Sequence, residues 1–417
     1  MERGRVENWS PSYEWKAVLL LALGFGLVGV DRWLVAPLFP FIMKDLGLNF
    51  KQLGEVIGIL GLGWGVTAIA IGAASDKLGR RRVLIPAIIL FSLLVGLTGA
   101  VTSFAMLMLI RLVMGMTEGA FMPVSVACTA DASKPSRRGL NQGFQLSTFA
   151  LLGLGLTPII ATQLLGVVPS WRYVFAIVAI PGFIVAGLLW LVIREPAKQP
   201  AAPIGQSAPR VRWAEVVRSR NVWLTVVAML STMCCVCVVG AMMPSYLMEY
   251  LKLPRTTMGF VMSAIGFGGF LGEFVLPGLS DLFGRRTIAA LSFLFALILV
   301  FVFMNTGAAP LRLFCLLFVI GFFCLGLLGL LCGPLATEGV SPASTATAVG
   351  LVSGAGEIFG GGIAPVVDGW VAQIYGIQHI LYLALGGLIV GLIVVLFLKE
   401  TAPRFAKYGA SGQSISQ

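Results

Sequence analysis

Charged side chains and histidine are scarce in this sequence. Only 11% of its 417 residues are Asp, Glu, Lys or Arg, and the single histidine is His379. A soluble domain carries about 25% charged residues. Metal sites need His, Cys, Asp or Glu at ligand spacing, and no such cluster is found in the sequence. The composition argues against a soluble enzyme, and we expect no cofactor and no bound metal.

A disulfide framework is also missing. The seven cysteines are odd in number and all lie in apolar segments, so we interpret them as small apolar packing residues. The net charge of +11 would indicate nucleic-acid binding in a soluble protein. In a chain this apolar the location of the charges matters more than their sum, and we expect no nucleic-acid partner.

Apolar residues make up 58% of the chain. They form twelve runs of about 20 residues, the length that crosses a hydrocarbon core of roughly 30 Å. The fold class predicted is therefore an all-α integral membrane protein, whose first run is too long for a cleaved signal peptide. The predicted division is a lead (1–16), a six-helix bundle (17–193), a Pro-, Ala- and Arg-rich linker (194–221), a second six-helix bundle (222–398) and a tail (399–417).

Basic residues predict the orientation. If alternate loops lie on opposite sides, 21 of the 29 Lys and Arg residues fall on the side of the amino terminus and six on the other, with Arg32 and Arg111 inside helices. Basic loops remain in the cytoplasm. We therefore expect a multi-pass protein of the inner cell membrane with both termini cytoplasmic.

The two bundles repeat each other. An Asp-x-x-Gly-Arg-Arg motif at Asp76 returns at Asp281, an offset of 205 residues, and three glycines of the second run return at the same offset. An offset of 207 relates a later set, in which Pro135, Gly143, Gly155 and Pro158 return as Pro342, Gly350, Gly362 and Pro365. Parallel repeats of this kind place a shared site near the midplane between the halves.

Two charged pairs lie inside apolar runs: Asp31 with Arg32 in the first, and Arg111 with Glu118 in the fourth. A charge at the centre of a membrane helix costs about 2.5–3.5 kcal/mol on insertion scales, so such residues usually face a polar interior. Seven residues advance a helix by nearly two turns, which places Arg111 and Glu118 on one face with Gly115 between them. They either serve transport or lock helices together.

The segment from Gly72 to Arg82 resembles the signature between the second and third helices of the major facilitator superfamily. Its pattern is Gly72-x-x-x-Asp76-Lys77-x-Gly79-Arg80-Arg81-Arg82, and the resemblance extends over nearly the whole chain. It implies twelve helices in two pseudo-repeats that rock about a central site. It also implies a cytoplasmic gate whose charge contacts break on opening. The second copy has Pro277 in place of the glycine, and anchoring of basic loops is the alternative explanation for the arginines.

Three short segments resemble the anion:cation symporter family within that superfamily. They are Asp31-Arg32, Arg111-x-x-x-Gly115-x-x-Glu118-Gly119-x-x-x-Pro123 and Met243-Pro244-Ser245-Tyr246-Leu247. The resemblance implies import of a small organic carboxylate with protons, using arginines for the substrate and membrane acids for coupling. A proton-coupled antiporter that exports drugs or metabolites is the alternative. Its substrates are often cationic or neutral, which two buried arginines suit poorly.

Depth along the helices supports these roles. At 1.5 Å per residue, Asp31 and Arg111 reach similar heights, so we expect them to pair and protonation of Asp31 to release Arg111 for an anion. Glu357 lies near the middle of the eleventh helix and is either a coupling acid or a packing residue. We expect Glu273 near the cytoplasmic end of the eighth helix, in a gate contact.

The candidate residues fall into three groups. Substrate binding is assigned to Arg32, Arg111, Tyr246, Gln145 and Trp33. Proton coupling is assigned to Asp31, Glu118 and Glu357, and the cytoplasmic gate to Gly72, Asp76, Arg80, Asp281, Arg285 and Glu273. The partners expected are an organic anion, protons and the lipid bilayer, and we expect the chain to act as a monomer.

Overall fold

The computed structural model describes residues 10–134, 137–194, 213–338, 340–341 and 344–402. Within these ranges the side chains of residues 69, 71–78, 213–214 and 346 are not described. Most of the predicted linker and tail, and the side chains of Gly72 and Asp76, therefore lie outside the described residues. The described part of the chain is almost entirely helical and contains no strand.

The described residues form twelve long helices, in agreement with the twelve apolar runs of the sequence. They are α1 (Pro11–Leu46), α2 (Phe50–Leu78), α3 (Arg80–Thr98), α4 (Phe104–Ala132), α5 (Arg138–Val167), α6 (Trp171–Val192), α7 (Arg220–Tyr250), α8 (Arg255–Phe283), α9 (Arg285–Met304), α10 (Pro310–Leu335), α11 (Thr347–Tyr375) and α12 (Ile377–Val395). All except α2, whose side chains are only partly described, have the length and hydropathy of a membrane span. The predicted fold class is confirmed.

Helix α1 begins six residues before the predicted run. Ser10 accepts a hydrogen bond from the Tyr13 amide, and Pro11 occupies the first helical position, where its missing N–H costs nothing. Farther along, α1 is interrupted at Leu34, between the helical pieces Pro11–Trp33 and Val35–Leu46. This interruption leaves the last carbonyl groups of the first piece without their helical partners.

The repeat is also present in the backbone geometry. Helices α5 and α11 contain π-helical stretches at Phe149–Leu156 and Gly356–Ile363, which are related by the offset of 207 residues. Each stretch is followed within two residues by a proline, Pro158 or Pro365. Proline cannot donate the next backbone hydrogen bond, and π-helical turns are frequent at functional sites.

Glycines allow the two halves to meet along α2–α11 and α5–α8. A methyl group on Gly54 would lie 2.1 Å from the Pro365 carbonyl oxygen, and one on its counterpart Gly259 would lie 2.7 Å from that of Pro158. Nearer the middle, a methyl group on Gly61 would lie 2.5 Å from the Gly361 oxygen. Six of the glycines that the repeat identified therefore lie at the seam between the halves, where only glycine lets two backbones come this close: Gly54, Gly61, Gly155, Gly259, Gly266 and Gly362.

The seam is not equally tight along its length. We call the end with the α2–α3 and α8–α9 turns the basic end and the opposite one the distal end. At the distal end the Phe50 amide donates to Gln373, and Arg255 donates to the Leu165 carbonyl. Toward the basic end, an added methyl group on Gly143 or on its counterpart Gly350 would meet no described atom of another helix closer than 3.8 Å. Among the described residues, the halves are packed closely from the middle to the distal end and have fewer close contacts at the basic end.

Candidate functional site

Arg32 joins the two halves at the middle of the bundle. Its Nη2 donates to Oε2 of Glu357 on α11 at 2.8 Å, and this contact is an ion pair across the α2–α11 seam. The guanidinium carbon lies 5.6 Å from the ring centre of Trp33 and 5.1 Å from that of Trp64. Arg32 is fully buried, whereas the Glu357 side chain retains 18% exposure. Cation–π contacts of this kind contribute about 2 kcal/mol when desolvated.

Gly361 makes room for this pair. A methyl group there would lie 2.6 Å from Glu357 Oε2 and 2.9 Å from Arg32 Nη2. The glycine stands one helical turn beyond Glu357, and any side chain would intrude between the two charges. Glu357 was predicted either as a coupling acid or as a packing residue, and its position in a pair with Arg32 keeps both roles available.

Arg111 binds main-chain oxygens instead of the Asp31 carboxylate. It donates to the carbonyl of Asp31 at 3.1 Å and to that of Arg32 at 2.8 Å. These are last-turn carbonyls of the first piece of α1, left unpaired by the interruption at Leu34. The predicted Asp31–Arg111 ion pair does not occur among the contacts of the described residues. Arg111 caps a helix end, where a cation is also favoured by the helix dipole.

Glu118 is fully buried, and neither carboxylate oxygen has a hydrogen-bond partner in the described part of the chain. It lies within electrostatic reach of Arg111 and Arg32, and Asp31 lies within reach of Glu118. Gly115, between Arg111 and Glu118, accommodates the α2 backbone, since an added methyl group would lie 2.1 Å from the Leu60 oxygen. The three ionisable residues of α1 and α4 therefore share one buried cluster with Arg32.

The other predicted binding residues divide between the centre and the interiors of the halves. Trp33 lies at the centre, where its ring fills the space above Gly240 of α7. Gln145 is buried within the first half and is already bonded to Thr129 at 2.5 Å and to Ser125 at 2.8 Å. Tyr246 is buried in the second half, with its ring 5.1 Å from that of Tyr250. Neither of these last two side chains reaches the Arg32–Glu357 pair through a described contact.

Apart from the Glu118 carboxyl group, the polar atoms near the centre that lack partners among the described residues are donors. Arg32 Nε, Trp33 Nε1 and Arg111 Nε are buried without a hydrogen-bond partner among the described residues. Arginine and tryptophan nitrogens donate and do not accept. A carboxylate is an acceptor-only group, so the chemistry of this cluster fits an anion.

The basic end carries matching ion pairs in the two halves. Arg80 pairs with Asp131, and Arg285, its counterpart at the offset of 205, pairs with Glu338, the counterpart of Asp131 at 207. Arg285 also contacts Asp281 at 2.5 Å. The acidic partners Asp131 and Glu338 were not predicted, although the offsets relate them. Glu273 is ten residues from the end of α8 and forms no ion pair with a described residue, so a gate contact is not seen there.

Three further acids were missed, of which Glu14 and Asp368 are buried and Glu215 is half-buried. Glu14 accepts hydrogen bonds from Arg137 and from the Lys134 amide. Glu215, in the short helix Trp213–Arg218 before α7, accepts in the same way from Ser344 and from the Ser341 amide. Asp368 of α11 is fully buried with both oxygens unpartnered within the described residues. The repeat could have predicted the contacts of Glu215 from those of Glu14. The offset of 207 residues relates Lys134 to Ser341 and Arg137 to Ser344.

Comparisons with known proteins agree with this architecture. The family model described as Major Facilitator Superfamily matches residues 21–358 and 237–414. A probable 4-methylmuconolactone transporter of Cupriavidus pinatubonensis is 30% identical over 82% of this chain and 81% of its own. A probable L-galactonate transporter of Escherichia coli is 23% identical over 86% of this chain and 83% of its own. Among solved structures, this chain is similar to a bacterial homologue of the human lysosomal transporter Spinster in an inward-facing, unoccupied conformation. The TM-score is 0.72 at 20% sequence identity, and the match covers 93% of this chain and 95% of the homologue. The chain belongs to the major facilitator superfamily, and it is a multi-pass membrane transporter rather than an enzyme.

Proposed function

We propose that the protein imports a small organic carboxylate together with protons, by alternating access of a site at Arg32. The observation that carries this proposal is the buried Arg32–Glu357 pair between the halves, surrounded by donors without partners. A substrate carboxylate can replace the Glu357 carboxylate on the guanidinium, because arginine holds either one through two parallel hydrogen bonds. Relatives named as transporters of organic acids support the substrate class.

The exchange links the anion to a proton. If the substrate takes Arg32 while Glu357 stays charged, a carboxylate is left buried without a counterion, at a cost of several kcal/mol. Protonation of Glu357 removes this cost, so the proton and the anion load together. Glu118 and Asp31 are the further proton carriers proposed, since both carboxyl groups are buried and that of Glu118 has no partner among the described residues, which favours its neutral form.

The basic end is proposed to face the cytoplasm, in accord with the distribution of Lys and Arg. Tight packing at the distal end and looser packing at the basic end then correspond to an inward-facing form. After the substrate leaves Arg32, Glu357 would lose its proton and pair with Arg32 again. The two halves could then return to the outward-facing form. The ion pairs at Arg80 and Arg285 are proposed to belong to the gate that reseals the cytoplasmic side.

Uptake into right-side-out membrane vesicles tests the proposal. Labelled carboxylates should accumulate above equilibrium when the outside is more acidic than the inside, and this accumulation should vanish when a proton ionophore collapses the gradient. Vesicles without the protein provide the background. Expulsion of substrate under an inward proton gradient would instead identify the efflux antiporter and contradict import.

A further inference from the structure

We infer that the carboxylate carried by this protein has an apolar, ring-containing body with few hydroxyl groups, and is not a polyhydroxylated sugar acid. The inference rests on the proposed function, because it concerns the same site around Arg32. It follows from what surrounds the Arg32–Glu357 pair and from which polar side chains are already bonded.

Aromatic rings line the side of the site formed by the first half. The guanidinium of Arg32 lies over Trp33 and Trp64. The Trp64 ring meets Phe149 of α5 edge-on at 6.1 Å, and Phe149 in turn contacts Phe25 at 5.3 Å. Phe149 is only half-buried, so part of its surface is not covered by the described residues. Rings arranged in this way favour another ring, which packs against them edge-to-face or offset.

Methionines and glycines pack together behind Glu357 in the second half. Met229 and Met233 of α7 pack against Gly356 and Gly360, where an added methyl group would lie 2.8 and 2.3 Å from their side chains. Both glycines belong to the π-helical stretch that carries Glu357. Methionine is flexible and polarisable, and its sulfur packs well against aromatic rings. This wall offers apolar contact and no hydroxyl group.

Hydroxyl side chains of the surrounding helices are already bonded to their own backbones. Each donates to a carbonyl oxygen three or four residues earlier: Thr117 to Met114, Ser125 to Met122, Thr148 to Gln145, Thr232 to Ala228 and Ser353 to Val349. The side-chain amide of Gln145 is bonded on both sides. Among the described residues, Ser245 is a buried hydroxyl without a partner, and it lies on α7 twelve residues beyond Met233.

A sugar acid would therefore lose hydrogen bonds on entering this site. Its hydroxyl groups both donate and accept, whereas the groups near Arg32 without partners among the described residues are three N–H donors and the single carboxyl group of Glu118. Each hydroxyl group that is desolvated without a full set of partners weakens binding roughly tenfold. An aromatic or alicyclic acid loses nothing of this kind and gains contact with the rings and methionines.

Direct binding measurements on the purified protein test the inference. Isothermal titration at one pH would compare benzoate, cinnamate and cyclohexanecarboxylate with gluconate, galactonate and glucuronate. We expect at least one acid of the first group to bind about 100-fold more tightly than every acid of the second. If a polyhydroxylated acid binds as well as the best apolar one, the inference is wrong and carboxylate transport stands. If no carboxylate of either group binds, the proposed function is wrong as well.

Phe149 variants provide a second, independent readout. Phe149→Leu keeps an apolar wall, and Phe149→Ser removes it. Benzoate should bind about tenfold more weakly to Phe149→Ser than to Phe149→Leu, because the contact with a large apolar side chain is lost. Equal affinities for benzoate in two folded variants would contradict the placement of the body against Phe149.

Discussion

Replacement of Glu357 by Gln isolates the contact on which the proposed mechanism depends. The substitution keeps the shape of the side chain and removes its charge, so Arg32 loses its only ion-pair partner among the described residues. Removing one partner of a buried pair typically costs about 3–5 kcal/mol, and the partial exposure of Glu357 argues for the lower end. The empty variant should therefore melt at a lower temperature than the wild type.

Carboxylate binding should improve in the same variant. In the wild type an anion has to displace Glu357 from Arg32, and in Glu357→Gln it meets an unpaired guanidinium. We expect the affinity for benzoate or another bound acid to rise at least tenfold at pH 8, about 1.4 kcal/mol. Added anion should also restore the lost thermal stability, because it supplies the missing counterion.

The pH dependence of carboxylate affinity shows whether a proton is taken up or released when the anion binds. Wild-type affinity should increase as the pH falls, because a proton on Glu357 competes with Arg32 for the carboxylate. Glu357→Gln cannot take up this proton, so its affinity should depend less on pH. Titration calorimetry at several pH values measures both effects, and Glu357→Asp, which keeps the carboxylate, should keep the pH dependence. An unchanged affinity and an unchanged pH profile in Glu357→Gln would refute the exchange mechanism.

Three further predictions separate the roles of the neighbouring residues. Arg32→Lys should weaken carboxylate binding at least tenfold in titrations, since an ammonium cannot hold a carboxylate through a planar fork. Arg111→Lys should chiefly lower the melting temperature, because Arg111 donates to two carbonyl groups of α1. If Arg111→Lys instead weakens binding and Arg32→Lys only lowers the melting temperature, Arg111 is the substrate-binding residue. Glu118→Gln should keep binding and counterflow exchange but lose proton-driven accumulation, and continued accumulation would remove Glu118 from coupling. In a cysteine-free background, a cross-link between Phe50→Cys and Gln373→Cys should lock the distal end and stop transport until it is reduced. Normal turnover of the cross-linked protein would contradict alternating access.

The helices and the repeat could be predicted from the sequence because the bilayer fixes the length of an apolar run. The offsets of 205 and 207 predicted glycines and charges that the structure places in matching positions, such as Gly54 with Gly259 and Arg80 with Arg285. A residue's position along a helix gives its depth, and depth predicted that Asp31 and Arg111 lie at a similar level.

Contacts between distant helices could not be predicted in the same way. Glu357 is 325 residues from Arg32, and depth alone does not say which helix face meets which neighbour. The predicted pairing of Arg111 with Asp31 failed because α1 is interrupted at Leu34, which frees carbonyl groups that Arg111 binds. Pro37 and Pro40, which cannot donate backbone hydrogen bonds, were the available signs of an irregular helix in this region.

The most direct test of the central claim, that a proton and a carboxylate exchange at Arg32 and Glu357, is a recording of proton movement during transport. A pH electrode would follow a lightly buffered suspension of de-energised right-side-out vesicles while a transported carboxylate is added. The exchange mechanism predicts immediate alkalinisation of the medium in the wild type and a smaller alkalinisation per carboxylate taken up in Glu357→Gln, even though that variant still binds the acid. Carboxylate uptake by the wild type without alkalinisation, or an equal signal from Glu357→Gln, would contradict it.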